Sequence, residues 1–152
     1  MNEKTLPYAR SFRELIVYQR QRQLARRVFE VTKSFPREEA YSLTDQIRRA
    51  SRSIGAQIAE AWAKREYERH FLSKLSDADA EQNETQHWIE TGQDCAYISV
   101  TQANELLNIC REIGRMLGSM KDHSADFCST GTTRVRETPD FFTDASALNT
   151  DY

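Results

Sequence analysis

Apolar residues return every three or four positions in four long stretches of this sequence, and that spacing constrains the fold more than any other feature. It places the apolar side chains on one side of an α-helix, where they can be buried together. The chain has 152 residues but only 5 Gly and 3 Pro, too few for the tight turns of a β-rich fold. The pattern predicts an all-α protein with a single core, because the chain is too short for two substantial domains.

The predicted helices span about residues 11–34, 42–65, 67–97 and 101–121. Ser11 and Glu14 have the spacing of a capping box at the first helix, and Phe35-Pro36 ends that helix because a residue before proline disfavours helical backbone. Short connections make neighbouring helices antiparallel, so we expect residues 11–121 to form an up-down-up-down antiparallel four-helix bundle. Residues 122–152 show no helical period and are rich in Ser, Thr and Asp, which predicts a disordered acidic C-terminal tail.

Two departures from a plain apolar pattern carry further predictions. The seam of the third helix, which continues to Ala96, includes Gln82 and Thr85, and polar groups in a core need hydrogen-bond partners there. Phe12, Leu15 and Ile16 lie on a different side from the main stripe of the first helix. Such a patch is typical of a contact with a neighbouring subunit, although the N-terminal segment is an alternative cover for it.

The formal net charge of −2 conceals a strong separation of charge along the chain. Residues 10–74 contain 15 Lys and Arg against 8 Asp and Glu, whereas residues 75–152 contain 5 against 14. Helical geometry places a group of arginines away from the apolar stripes of the first two helices: Arg22, Arg26, Arg27, Arg48, Arg49 and Arg52. The planar guanidinium suits phosphate and RNA, so this face is a candidate nucleic-acid site; a solvated face with salt bridges is the alternative.

Catalytic arrangements find little support in the sequence. Glu84 and His87 have the spacing of half a dimetal site. Thr85 belongs to the buried seam, however, which places Glu84 and His87 on the outer side of the helix, and the second Glu-x-x-His motif that such a site needs is missing. We therefore expect no metal, no cofactor and no catalytic residue. Cys95, Cys110 and Cys128 lack metal-ligand spacing and are typical of reduced thiols. With no apolar run long enough for a membrane and no secretion signal, we expect a cytoplasmic protein.

The stretch Gln46-Ile47-Arg48-Arg49-Ala50, with flanking matches over residues 12–19, 35–43 and 53–60, resembles the bacterial four-helix-bundle proteins encoded in intervening sequences of 23S ribosomal RNA genes, the S23 type. That family is similar to the accessory variability protein of diversity-generating retroelements, a pentameric barrel of bundles that binds a reverse transcriptase and its template RNA. The resemblance implies a homopentamer without catalysis and a basic nucleic-acid surface that includes Arg48 and Arg49. Ala61 replaces the family's usual glycine, so the second helix is expected to run longer here.

Two functions remain open on this evidence. The first is a non-enzymatic homo-oligomeric bundle that binds RNA, or a reverse-transcriptase-type partner, through the arginine face. The second is a protein-interaction scaffold, without nucleic-acid binding, whose basic half meets acidic helices of a neighbouring subunit.

Overall fold

The structure is a computed structural model that describes residues 9–128. It contains four long helices, α1 (Ile16–Thr32), α2 (Leu43–Ala63), α3 (Glu68–Asp94) and α4 (Val100–Asp122), followed by the one-turn helix α5 (Ser124–Phe127). Helices α1 and α3 each pack against both α2 and α4, as in an up-down-up-down bundle. The predicted all-α four-helix bundle is confirmed.

The core is formed by the stripes that the sequence spacing predicts. Every helix contributes side chains that are fully buried, including Leu24, Ile54, Phe71 and Ile113. The polar members of the α3 seam are buried as well, since Gln82 is 5% exposed and Thr85 is 0% exposed. Their partners lie on α3 itself, where Gln82 Nε2 donates to Asp79 Oδ1 at 3.1 Å and Thr85 Oγ1 donates to the Glu81 carbonyl at 2.8 Å.

The first helix begins later than predicted. Phe12–Glu14 form a 3₁₀ turn, Leu15 is extended, and only then does α1 start. Ser11 Oγ accepts a hydrogen bond from the Arg13 amide and Glu14 accepts one from the Arg10 amide, so the predicted reciprocal capping box is wrong. The turn folds Leu15 and Ile16 into the core of their own chain, at 2% and 8% exposure, which makes them unavailable to a neighbouring subunit.

The third helix ends earlier than predicted, at Asp94 rather than near Tyr97. Ala96 adopts the left-handed conformation, with φ of 60°, and is exposed instead of completing the seam. The Ala96 amide donates to the Gln93 carbonyl and the Tyr97 amide donates to the Gly92 carbonyl, both at 2.9 Å, which is a Schellman motif. The reversal brings the Tyr97 ring to 5.5 Å from that of Phe35 and buries Ile98 in the core.

Part of the predicted tail is ordered. Phe127 is fully buried and its ring stacks on Phe71 with the ring centres 5.7 Å apart. Ser124 Oγ donates to Glu68 Oε1 at 2.7 Å, which fixes the start of α5 on α3. The prediction that helical structure stops at His123 is therefore wrong for residues 124–127, while residues 129–152 of the predicted tail lie outside the described residues.

Candidate nucleic-acid interface

Ion pairs cross three of the four interfaces between neighbouring helices within residues 9–128. Helices α1 and α4 are joined by Arg20–Glu112 at 2.6 Å and Arg27–Glu105 at 2.9 Å. Helices α2 and α3 are joined by Lys74–Glu60 at 2.8 Å, and α3 and α4 by Lys121–Asp79 at 3.8 Å. The hydrogen bond from Lys74, together with its charge, lowers the pKa of Glu60. No ion pair in this part of the chain crosses between α1 and α2, the two helices that carry the predicted arginine face.

Two side-chain hydrogen bonds join α1 to α2 instead. Gln21 Nε2 donates to the Ser51 carbonyl at 2.9 Å, and Arg48 Nε donates to Thr32 Oγ1 at 2.8 Å. Gln21 packs closely against α2 at Gly55: a Cβ at that position would lie 2.6 Å from the Gln21 Cδ, so the side chain would have to shift. Gln21 is 3% exposed, and its Oε1 has no hydrogen-bond partner among the described residues.

A groove of about 510 Å³ runs over this contact between α1 and α2. It combines cationic, aromatic and small side chains, and no Asp or Glu is among the described residues that line it: Phe12, Tyr18, Gln21, Arg22, Ala25, Arg26, Phe29, Arg52, Gly55, Ala56 and Ala59. We refer to it as the arginine groove. Its volume lies within the range of about 300–1,000 Å³ that is usual for ligand sites.

Three of the six arginines predicted from the sequence meet in the arginine groove. Arg22, Arg26 and Arg52 are exposed, and none of them makes an ion pair with another residue between 9 and 128. Arg27 lies elsewhere, paired with Glu105 in a smaller cleft between α1 and α4. Of the six predicted arginines, the structure therefore places three without an ion pair in the groove between α1 and α2, and Arg27 in an ion pair on the α4 side of α1.

Arg48 and Arg49, the two arginines that the family resemblance indicates, lie beside the arginine groove rather than in it. Arg48 is half-buried, with its guanidinium 4.8 Å from the centre of the Phe29 ring, and Phe29 is itself part of the groove wall. Arg49 is 75% exposed and forms a 2.9 Å ion pair with Asp45 one turn earlier. An exposed pair of this kind contributes at most about 1 kcal/mol, so it leaves Arg49 able to exchange its partner for a phosphate.

Glu84 and His87, which have the spacing of half a dimetal site, gain no further ligands among the described residues. Glu84 and His87 are exposed on the outer side of α3, as the sequence predicts, and Glu84 Oε1 accepts a hydrogen bond from Trp88 Nε1 at 3.2 Å. Burial raises the pKa of the Cys110 thiol to about 12, which keeps it protonated and unreactive near neutral pH. Between residues 9 and 128, no three His, Cys, Asp or Glu side chains are grouped as a metal site requires.

The described helices also give no sign of a membrane span, since none of them combines the necessary length with the necessary apolar character.

The family model described as 23S rRNA-intervening sequence protein matches residues 13–119. The chain belongs to this family. A solved structure, described as a protein of unknown function from the S23 ribosomal protein family of Bacteroides thetaiotaomicron, is 30% identical, covers 70% of this chain and 96% of its own, and superposes with a TM-score of 0.64. No curated protein matches this chain.

The match to the 23S rRNA-intervening sequence family covers α1 to α3 and nearly all of α4, and it includes all six predicted arginines. It stops before α5, so the packing of Phe127 on Phe71 is a feature beyond the matched region. Helix α2 continues two residues past the buried Ala61 to Ala63, within the predicted range for its end.

Sequence reasoning did not single out the residues that give the groove its shape. Tyr18, Arg22, Ala25 and Phe29 follow steps of four, three and four along α1, which is a second helical stripe beside the core stripe. On α2 the matching signal is a set of small residues, Gly55, Ala56 and Ala59. A search for an aromatic and basic stripe opposite small residues would have found the groove.

Proposed function

We propose that this protein is a non-enzymatic, homo-oligomeric bundle that binds RNA through the arginine groove and the adjoining Arg48 and Arg49. The observation that carries the proposal is the contrast between interfaces. Ion pairs cross the α1–α4, α2–α3 and α3–α4 contacts of the described bundle, whereas Arg22, Arg26 and Arg52 meet at the α1–α2 contact without an acidic partner among the described residues.

Unpaired guanidinium groups are suited to phosphate because no existing ion pair has to be broken first. Each guanidinium can offer two parallel N–H groups to one phosphate, which lysine cannot do. Three such groups along one groove, with no carboxylate among the described lining residues, form a local positive site on a chain whose net charge is −2.

The proposal extends to the assembly that the family resemblance implies. We propose a homopentamer in the cytoplasm, with a reverse transcriptase as a further protein partner. Neither the arginine groove nor the pair beside it depends on a cofactor, since both act through fixed charge and hydrogen bonding.

Salt-dependent binding tests the RNA proposal. We expect the affinity of the full chain for a fluorescently labelled RNA, measured by anisotropy, to fall steeply as salt is raised, because each phosphate contact releases a counterion. The triple variant Arg22→Ala, Arg26→Ala, Arg52→Ala removes up to three contacts. It is expected to weaken binding at least about tenfold at low salt and to reduce the log–log salt slope by about 2.

A charge-matched control separates contact from net charge. Arg69, Arg111 and Arg115 are exposed and lie outside the groove, so changing these three to Ala removes the same charge without touching the proposed site. The control should bind RNA within about twofold of the original protein, since distant exposed charges are largely screened. RNA binding that neither the triple groove variant nor the double variant Arg48→Ala, Arg49→Ala weakens would overturn the proposal.

The scaffold function remains the second candidate because the exposed side of α3 is acidic. Asp77, Glu84, Glu90 and Asp94 are all exposed there and offer a surface complementary to the groove arginines of another copy. Under this alternative the protein assembles stably but has no measurable RNA affinity at any salt concentration.

A further inference from the structure

Phosphate binding alone accounts for the arginines of the groove but not for its other walls. Tyr18 and Phe29 stand on α1 beside Arg22, and Phe12 packs edge-on against Tyr18 with the ring centres 4.9 Å apart. Phe29 is 37% exposed, unusually accessible for a phenylalanine in a bundle. Cations of the protein already lie beside the Phe29 ring, with Lys33 at 4.9 Å and Arg48 at 4.8 Å from its centre, but the exposed part of the ring is apolar surface that phosphate binding does not use.

The opposite wall leaves space for a flat ligand. Ala56 and Ala59 on α2 have no side chain beyond Cβ, and Gln21 fills the space beside Gly55, so the groove is open on the solvent side of that contact. A duplex could lay its phosphates over the arginines, but its stacked and paired bases could not enter this space. An unpaired base presents both a π-face and free hydrogen-bonding edges.

Gln21 supplies a hydrogen-bonding group at the floor of the same groove. Its amide is anchored by the bond from Nε2 to the Ser51 carbonyl, while Oε1 is left without a partner among the described residues although the side chain is almost fully buried. An unsatisfied buried carbonyl oxygen costs about 1–3 kcal/mol. A ligand N–H group would recover that cost if the Gln21 amide turned from its contact with Gly55 towards the groove.

We propose that the arginine groove holds an unpaired nucleobase of single-stranded RNA. Tyr18 stacks on this base, while Phe29, about 16 Å farther along α1, stacks on a second base of the same strand. Gln21 Oε1 accepts a hydrogen bond from the amino or imino group of the first base, and Arg22, Arg26 and Arg52 bind the flanking phosphates. This inference rests on the proposed RNA binding and adds to it a substrate class, namely single-stranded rather than duplex RNA.

The first test compares two RNA ligands with variants that change only the groove walls. Labelled single-stranded RNA is expected to bind at least about tenfold more tightly than a blunt duplex of the same length at equal salt, since stacking of one base contributes that much. Ala56→Leu fills the groove without altering charge and should remove this preference while leaving duplex affinity unchanged. Phe29→Ala should weaken single-strand binding, whereas Tyr67→Ala, at an exposed aromatic residue outside the groove, should not.

A second readout reports stacking directly. RNA that carries 2-aminopurine in place of one adenine should lose fluorescence when it binds the original protein and lose much less when it binds Ala56→Leu. Circular dichroism of each variant confirms that the helices are intact, and Phe29→Ala keeps the test valid if Ala56→Leu fails to fold.

The outcomes separate this inference from the function on which it rests. Equal binding of single strand and duplex, weakened by the triple arginine variant but not by Ala56→Leu or Phe29→Ala, would keep RNA binding and overturn the base site. Absence of RNA binding at low salt would overturn both. Dissociation of an oligomer by Ala56→Leu, seen by light scattering, would show that a second copy occupies the groove and would also overturn the base site.

Discussion

Gly55 packs against Gln21 between the two helices that carry the groove, and adding a single methyl group at Gly55 tests what this contact contributes to stability. Gly118 on α4 is the natural reference, because a Cβ added there meets nothing within 4 Å. We expect Gly118→Ala to raise the free energy of unfolding by about 1 kcal/mol through helix propensity. Gly55→Ala should gain none of this, since its Cβ displaces Gln21 and breaks a hydrogen bond of about 1 kcal/mol to the Ser51 carbonyl.

Urea denaturation of the two single variants measures this difference, and a double-mutant cycle identifies its cause. In a Gln21→Ala background the collision is gone, so Gly55→Ala should then stabilise by about 1 kcal/mol, as Gly118→Ala does. If both alanine substitutions stabilised the original protein equally, Gln21 would be able to move aside at no cost, and its contact with Gly55 would not hold the Gln21 side chain in place.

At the scale of the element, the end of α3 contains a residue in the wrong backbone region for its type. Ala96 has φ of 60°, a conformation that costs an L-residue about 1–2 kcal/mol and glycine very little. We therefore expect Ala96→Gly to raise the free energy of unfolding by about 1 kcal/mol. The same substitution at the exposed Ala80, inside α3, should lower it by about 1 kcal/mol. Urea denaturation of both variants gives the two signs, and a destabilising Ala96→Gly would contradict the Schellman geometry.

The helix ends also show what spacing alone can and cannot predict. Apolar periodicity gave the number, order and buried sides of the helices, because burial of Leu24, Ile54 or Ile113 is fixed by position along the helix. It placed the end of α3 too late because Ala96 has the spacing of a buried seam residue, whereas the backbone reverses at Ala96 and buries Ile98 instead. Ser11 has a capping sequence, yet the chain forms a 3₁₀ turn that buries Leu15 instead.

The positive charge of the candidate site was predictable from the sequence, but which of its arginines form ion pairs was not. Sequence periodicity put six arginines on one broad face, yet it contained no information on which of them meet acids of a distant helix. Arg27 and Glu105 are 78 positions apart and pair across α1 and α4, whereas the adjacent Arg26, and Arg22 on the same helix, make no ion pair with any described residue. Such pairings depend on the rotation of each helix in the bundle, which is a property of the packed molecule.

At the scale of the whole molecule, the separation of charge along the chain becomes a separation in space. The basic groove lies between α1 and α2, while exposed carboxylates crowd α3; Glu81, between Asp77 and Glu84 on that helix, has its pKa raised by burial and by these neighbours. Opposite charges on different faces of one molecule can hold copies together or remain available for other partners. The response of the assembly to salt distinguishes these two uses.

We expect light scattering to give a homo-oligomer, near five times the 17.7 kDa chain mass, and to give the same mass at 0.1 M and 1 M salt. The reason is that the groove arginines are proposed to serve RNA, so the contacts between copies should not depend on charge pairs that are screened over about 10 Å at 0.1 M and about 3 Å at 1 M. The triple variant Arg22→Ala, Arg26→Ala, Arg52→Ala should therefore assemble as the original protein does. An oligomer that dissociates at 1 M salt, or on loss of the three arginines, would favour the scaffold function, and a monomer at both salt concentrations would contradict the proposed assembly altogether.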